Sequence, residues 1–186
     1  MDSPASFQGQ LLIASPILRD PNFRQSVVLI VEHNENGTLG LVLNRPSETA
    51  VSEIWGKISE TPCTTDQPLY IGGPVEGPLM AIHTHEGEAN NTVLPGVYFS
   101  VEKDHLNAIV AAGDDSFRLF VGHAGWGAGQ LENEMEQGSW LLLPATLELV
   151  FYRGDDLWDN VRNQVAQSSF VGRLGIKQLP DDPRMN

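Results

Sequence analysis

Between Phe120 and Trp140 the chain passes from an apolar strand end through Gly122, Gly125, Gly127 and Gly129, around Trp126, into a short acidic segment, and out through Gly138 to a second tryptophan. Few local geometries accommodate that order. Glycine takes positive backbone angles and lets other backbone come close, so the run reads as a tight corner joining a strand to a helix that starts near Gln130, with Trp126 folded beneath it. A glycine-rich passage into a helix N-terminus is also how backbone amides hold phosphate or carboxylate. Two features argue against that use here: no Lys or Thr follows as in a phosphate-binding loop, and Glu132 and Glu134 already bring negative charge to the helix start. The corner is therefore expected to be chiefly structural, with Gln130 and the loop amides as its binding groups.

The remaining elements follow from hydrophobic spacing. Val27 to Glu32 and Leu39 to Asn44 are rich in Val, Leu and Ile and flank Asn34-Glu35-Asn36-Gly37, which predicts a β-hairpin. Further strands are expected over 10–15, 69–71, 79–84, 96–100, 117–121 and 140–143, with 79–84 beside 69–71. Helices are expected over 51–58, capped by Ser47 or Thr49, over 101–112 ending at Gly113, over 130–137, from Pro144 onward, and over 155–167. Hairpins mixed with helices, without strict βαβ alternation, indicate an α+β fold. At 186 residues the chain suits one domain, assigned to 1–172, with 173–186 as a loosely ordered tail ending in Pro180-Asp181-Asp182-Pro183 and the last three residues.

Charge and cysteine content narrow the function classes. Eleven basic residues against 24 acidic give a net charge of −13, and the basic residues are scattered singly. Duplex DNA demands clustered Lys and Arg, so direct nucleic-acid binding is not expected. Cys63 is the only cysteine and has no basic neighbour in sequence, which excludes an internal disulfide and gives no support for a reactive thiol. The N-terminus carries no basic and apolar leader and no apolar run spans a bilayer, so a cytoplasmic protein with no membrane partner is expected.

Several motifs together resemble the AlgH/YqgE family of bacterial proteins. They are Gly9-Gln10-Leu11-Leu12-Ile13-Ala14 with Asp20-Pro21-Asn22-Phe23, Ser26-Val27-Val28-Leu29 through His33, Gly40 to Pro46, Gly72-Gly73-Pro74-Val75, and Gly125 to Glu132. The likeness covers nearly the whole chain. It implies a single α+β domain with a mixed, strongly bent, pseudo-barrel-like sheet flanked by helices, in a family whose biochemical activity is not established and which carries a transcriptional-regulator label from one branch.

Three constellations are candidates for chemistry. Asn44-Arg45 sets an amide and a guanidinium at a strand end, a common place for function, although Asn44 can equally tie down the turn while Arg45 pairs with a carboxylate. His83 and His85 stand two residues apart, on one face if a strand continues through them, where they could share a metal; a zinc site needs a third ligand, and neither is assigned as one. No Ser lies in a Gly-x-Ser-x-Gly elbow and no cofactor motif is present, so no catalytic residue and no cofactor is assigned. The first reading is a non-catalytic binding or regulatory protein. Its small ligand or protein partner would bind where Asn44, Arg45, Gly72, Gly73, Trp126 and Gln130 meet. A metal-dependent hydrolase using His83 and His85, and a regulator acting directly on DNA, are the alternatives.

Overall fold

A computed structural model describes residues 6–174. The strands are β1 (Gln10–Ala14), β2 (Val27–Asn34), β3 (Gly37–Val42), β4 (Pro46–Ala50), β5 (Pro68–Ile71), β6 (Met80–His83), β7 (Asn91–Leu94), β8 (Val97–Ser100), β9 (Phe117–Val121), β10 (Ala124–Gly127) and β11 (Trp140–Pro144). The α-helices are α1 (Val51–Ile58), α2 (Lys103–Ala111), α3 (Gln130–Glu136), α4 (Leu147–Val150) and α5 (Leu157–Leu174). The α+β class expected from the sequence is the class observed, in one domain. The strands divide between a five-stranded sheet, β10-β3-β2-β1-β11, and a six-stranded sheet, β4-β5-β9-β6-β8-β7. The tail expected over 173–186 lies almost wholly outside the described residues.

The alternation of side chains across strands explains the layering. Leu11, Ile13, Val27, Leu29, Val31 and Leu41 point inward and pack on Tyr70, Met80, Ile82, Val97 and Phe120 of the other sheet, so the two sheets share a core. Leu12, Ala14, Val28, Ile30 and Val42 point the other way, under Leu131 of α3 and the two tryptophans Trp126 and Trp140. Beyond the six-stranded sheet, Leu69, Ala81 and Leu119 meet Trp55 of α1 and Leu106, Ile109 and Val110 of α2. Because both faces of β2 are covered, its start is an unbroken apolar run, Val27 to Val31, with every residue fully buried.

Three expectations are corrected. The strand at Met80–His83 does not lie beside β5: β9 separates them, running parallel to β5 and antiparallel to β6. Neither Ser47 nor Thr49 caps α1; the cap is Ala50, whose N–H donates to Glu53 Oε1 at 3.2 Å. The glycine-rich run is itself a strand, β10, on the edge of the five-stranded sheet, pairing Ala124 with Gly40 and Trp126 with Thr38. Propensity hides it, since Ala-Gly-Trp-Gly has little preference for a strand and is held there by its partner.

The sheets are joined at a glycine crossing. Val42 N–H donates to Gly72 O at 2.8 Å, and Gly72 N–H donates to Val121 O at 2.8 Å, so the chain after β5 touches both sheets. Gly122, at φ +68°, turns in the left-handed region and a Cβ there would lie 2.5 Å from Gly73 O. A Cβ on Gly72 would strike the Gly122 carbonyl, and one on Gly73 the His123 backbone.

Candidate functional site

The six residues marked from sequence do not surround one cavity. Trp126 faces Thr38 and Gly72 bonds to Val42 on the β10 side of β3, Gly73 follows Gly72, Asn44 and Arg45 lie just beyond the end of β3 with Arg45 O accepting from Ile71 N at 2.9 Å, and Gln130 opens α3. The cavities that Trp126 and Asn44 line are different ones.

Most of these side chains are occupied internally. Trp126 Nε1–H and Trp140 Nε1–H both donate to Glu134 Oε2, at 3.0 and 2.9 Å, with Phe23 packed against both rings at 5.9 and 5.5 Å. Gln130 accepts from Gly127 N–H at 3.0 Å and donates to Glu134 Oε1 at 3.1 Å, so each end of its amide already holds one bond of the corner. The acidic residue that counts against phosphate is here the acceptor for two indoles. Asn44 accepts from Val27 N–H at 3.0 Å and donates to Gln25 O at 2.8 Å, pinning a turn in which Gln25 holds φ +55°. Arg45 donates to Arg24 O at 3.3 Å; burial lowers its guanidinium pKa and the nearby Asp20 opposes that. Gly72 and Gly73 serve the crossing.

The histidines do not share a site. His83 ends β6, fully buried, while His85 lies beyond it in the loop, with the two rings stacked at 6.2 Å. His83 Nδ1 accepts from His85 N–H at 3.2 Å, which places the ring proton on Nε2, and that atom donates to Ser100 Oγ at 2.9 Å. Neither nitrogen is left for a metal. Burial, with the charges of His85 and His105, pushes the His83 pKa down to about 4. His85 Nε2 meets Ser116 Oγ at 3.0 Å and Asp114 Oδ1 at 3.3 Å. That set contains the residue types of a hydrolytic triad without its geometry. A triad needs the carboxylate on Nδ1 and the serine on Nε2, whereas here both crowd Nε2 and Ser116 donates its proton to Asp114.

The strongest unassigned feature is Arg118, in β9. The side chain is 2% exposed, yet its partners are two backbone carbonyls, Leu43 O at 3.3 Å and Tyr152 O, and the face of Tyr70 at 4.8 Å. No carboxylate lies within ion-pairing distance of it among the described residues. Burial lowers its pKa, the Tyr70 phenol opposing and Arg153 reinforcing the shift, although a guanidinium stays charged at any ordinary pH. Leu43, Tyr70 and Tyr152, the groups that touch Arg118, also line a cleft of about 230 Å³ together with Asn44. Its mouth carries Arg153 and Asp155. A lone Arg inside Phe117-Arg118-Leu119-Phe120-Val121 was the available sequence signal.

Comparison with known proteins agrees with this architecture. A sequence model described as AlgH-like matches residues 11–168. UPF0301 protein CT0663 of Chlorobaculum tepidum is 37% identical over 184 residues, covering 96% of this chain and 95% of its own. UPF0301 protein PputGB1_5045 of Pseudomonas putida is 40% identical over 162 residues, covering 83% and 86%. Among solved structures, the crystal structure of DIP2367 from Corynebacterium diphtheriae matches with a TM-score of 0.69 at 30% identity, covering 88% of this chain and 90% of that one. The solution structure of AlgH from Pseudomonas aeruginosa matches with a TM-score of 0.68 at 32% identity, covering 95% and 93%. With the motifs, the two-sheet fold and these likenesses in agreement, the chain belongs to the AlgH-like family.

Proposed function

We propose that the protein is a non-catalytic binding domain that takes a small polar ligand, with at least one anionic or carbonyl acceptor, in the cleft between Asn44, Tyr70 and Tyr152. The observation that carries this is the buried charge of Arg118 directly behind the cleft wall, with no carboxylate among the described residues to offset it. A buried guanidinium satisfied only by carbonyls keeps a positive field that favours an acceptor nearby. Arg153 and Asp155 at the mouth offer one charge of each sign, which suits a small amino-acid-like zwitterion better than phosphate.

Binding is preferred to catalysis because His83 has no free ring nitrogen and Ser116 already gives its proton to Asp114. Direct action on DNA is disfavoured by the net charge of −13. The reading places the protein in the cytoplasm, a reducing compartment in keeping with its lone Cys63. Among the described residues no helix is long and apolar enough to cross a membrane.

The test is an NMR titration with amino acids, small dicarboxylates and inorganic phosphate, following the Arg118 side-chain Nε–H and the backbone amides of Asn44, Tyr70 and Gly154. Saturable shifts at these groups, weakened in Arg118→Lys, are expected. A flat response across the panel, with the protein folded, ends the proposal.

A further inference from the structure

A second cavity, of about 430 Å³, opens where β1 ends and is lined by Ser15, Pro16, Leu18, Arg24, Gln25 and Trp158. Its size is that of an ordinary small-molecule site. Ala14 N–H donates to Ser26 O at 2.9 Å, which sets Ser15 beside the Arg24–Gln25 turn, and the Trp158 indole donates to Ala14 O at 2.8 Å, which brings α5 to the same strand end. Gln25, at φ +55°, is the one non-glycine residue with a positive φ among the described residues. Glycine would hold that angle without strain. The position instead carries a glutamine that is exposed, lines the cavity and makes no side-chain hydrogen bond among the described residues, a costly choice of the kind that collects at binding sites.

The charges select the ligand. In a chain with 24 acidic residues no carboxylate lines this cavity, and its one charged wall is Arg24, exposed and with no carboxylate at ion-pairing distance among the described residues. Two further guanidiniums stand close: Arg45 donates to Arg24 O at 3.3 Å, and Arg162 lies 4.8 Å over the Trp158 ring. Asp159 pairs with Arg162 at 3.2 Å and Asp20 acts on Arg45, so both carboxylates serve the outer arginines and leave Arg24 uncompensated. Ser15, 7% exposed, accepts from Ile17 N–H at 3.3 Å, while its own hydroxyl proton has no acceptor among the described residues. We infer that the cavity binds a small phosphate monoester with an apolar body, its phosphate held by Arg24, the Gln25 amide and the Ser15 hydroxyl, its body against Pro16, Leu18 and Trp158. Three donors match the three terminal oxygens of such an ester, and the guanidinium contact is the strong one. Ile17, 69% exposed between Pro16 and Leu18, adds a further apolar side chain beside them.

Phenyl phosphate is the probe, added to the full chain while the Gln25 side-chain amide and the Trp158 indole are followed by ¹⁵N NMR. Saturable displacement of both signals is expected, with the Trp126 and Trp140 indoles still. Arg24→Gln should weaken binding about tenfold, the worth of one charge-assisted contact. Gln25→Gly suits the same backbone angle, so it keeps the fold, and it should weaken binding about fivefold, the worth of one neutral hydrogen bond. Inorganic phosphate, which lacks the ring, and benzoate, which has one oxygen fewer, should each bind more weakly than phenyl phosphate. No displacement up to about 10 mM phenyl phosphate, an affinity too weak to matter, overturns the proposal. Undiminished binding by Arg24→Gln, or equal affinity for inorganic phosphate or benzoate, overturns it as well. Shifts confined to Arg118 and Tyr70 would place phenyl phosphate in the other cleft and overturn it too.

Discussion

Acidification should destabilise this protein well above the range in which carboxylates titrate, through His83. Its folded pKa is about 4 against 6.5 for a free histidine, because the ring is fully buried and faces His85 and His105. Below pH 6.5 the unfolded chain binds a proton that the folded chain refuses, so stability falls with each unit down to the folded pKa, below which both states are charged and the slope vanishes. Integrated from about pH 7 to about pH 4.5, the loss is about 2 kcal/mol, an appreciable part of a typical folding free energy. Urea unfolding at steps across that interval measures it. His83→Gln keeps an acceptor and a donor for His85 N–H and Ser100 Oγ but cannot titrate. The variant should start less stable at neutral pH and then lose about 2 kcal/mol less than the native chain on acidification. Parallel profiles for the two proteins would refute the reasoning, since the remaining acidic groups are common to both.

Three further outcomes follow from the geometry. Glu134→Ala strands two buried indole donors and should cost about 2–4 kcal/mol by chemical denaturation, with altered emission from Trp126 and Trp140; a loss within experimental error would show that the carboxylate is not their effective acceptor. Gly73→Ala sets a Cβ into the backbone of His123 and should exceed about 4 kcal/mol or prevent folding, whereas Gly56→Ala, in open space on α1, should be stabilising by about 0.5–1 kcal/mol; circular dichroism melts of the pair separate them. Asn44→Ala removes the acceptor for Val27 N–H and the donor to Gln25 O and should cost about 1–3 kcal/mol, with faster amide exchange at Val27 as the local signature.

The sequence was most readable where local pattern and tertiary role coincide. The hairpin of β2 and β3 needs only its apolar runs and its Asn-Gly turn, and α2 stops at Ala111, just short of Gly113, whose φ of +68° a helix cannot continue through. Pattern failed where a strand owes its conformation to a neighbour. Pro46–Ala50 and Ala124–Gly127 are poor strand formers held in place by β5 and β3, and the β5–β9 parallel pairing joins Tyr70 to Phe120 across fifty residues of chain. At the site level, residue type was legible and residue occupation was not. Gln130 and Asn44 are the kinds of groups that bind ligands, and each end of their amides already holds one internal bond, with Gly127, Glu134, Val27 and Gln25. Arg118 sent the opposite signal, a single charge within an apolar strand, and only the fold reveals that no carboxylate among the described residues meets it.

The placement of β1 governs the order in which this protein can be made. Gln10–Ala14 lies between β2 and β11, with Gln10 opposite Pro144 and Ala14 opposite Trp140. A ribosome therefore releases the first strand long before its second partner exists, and the pairing closes only when more than three quarters of the chain has emerged. Until then β1 presents an apolar, unpaired edge of the kind that joins to other chains. Such a protein gains little from folding as it is synthesised, and a product cut short before Trp140 would expose that edge permanently.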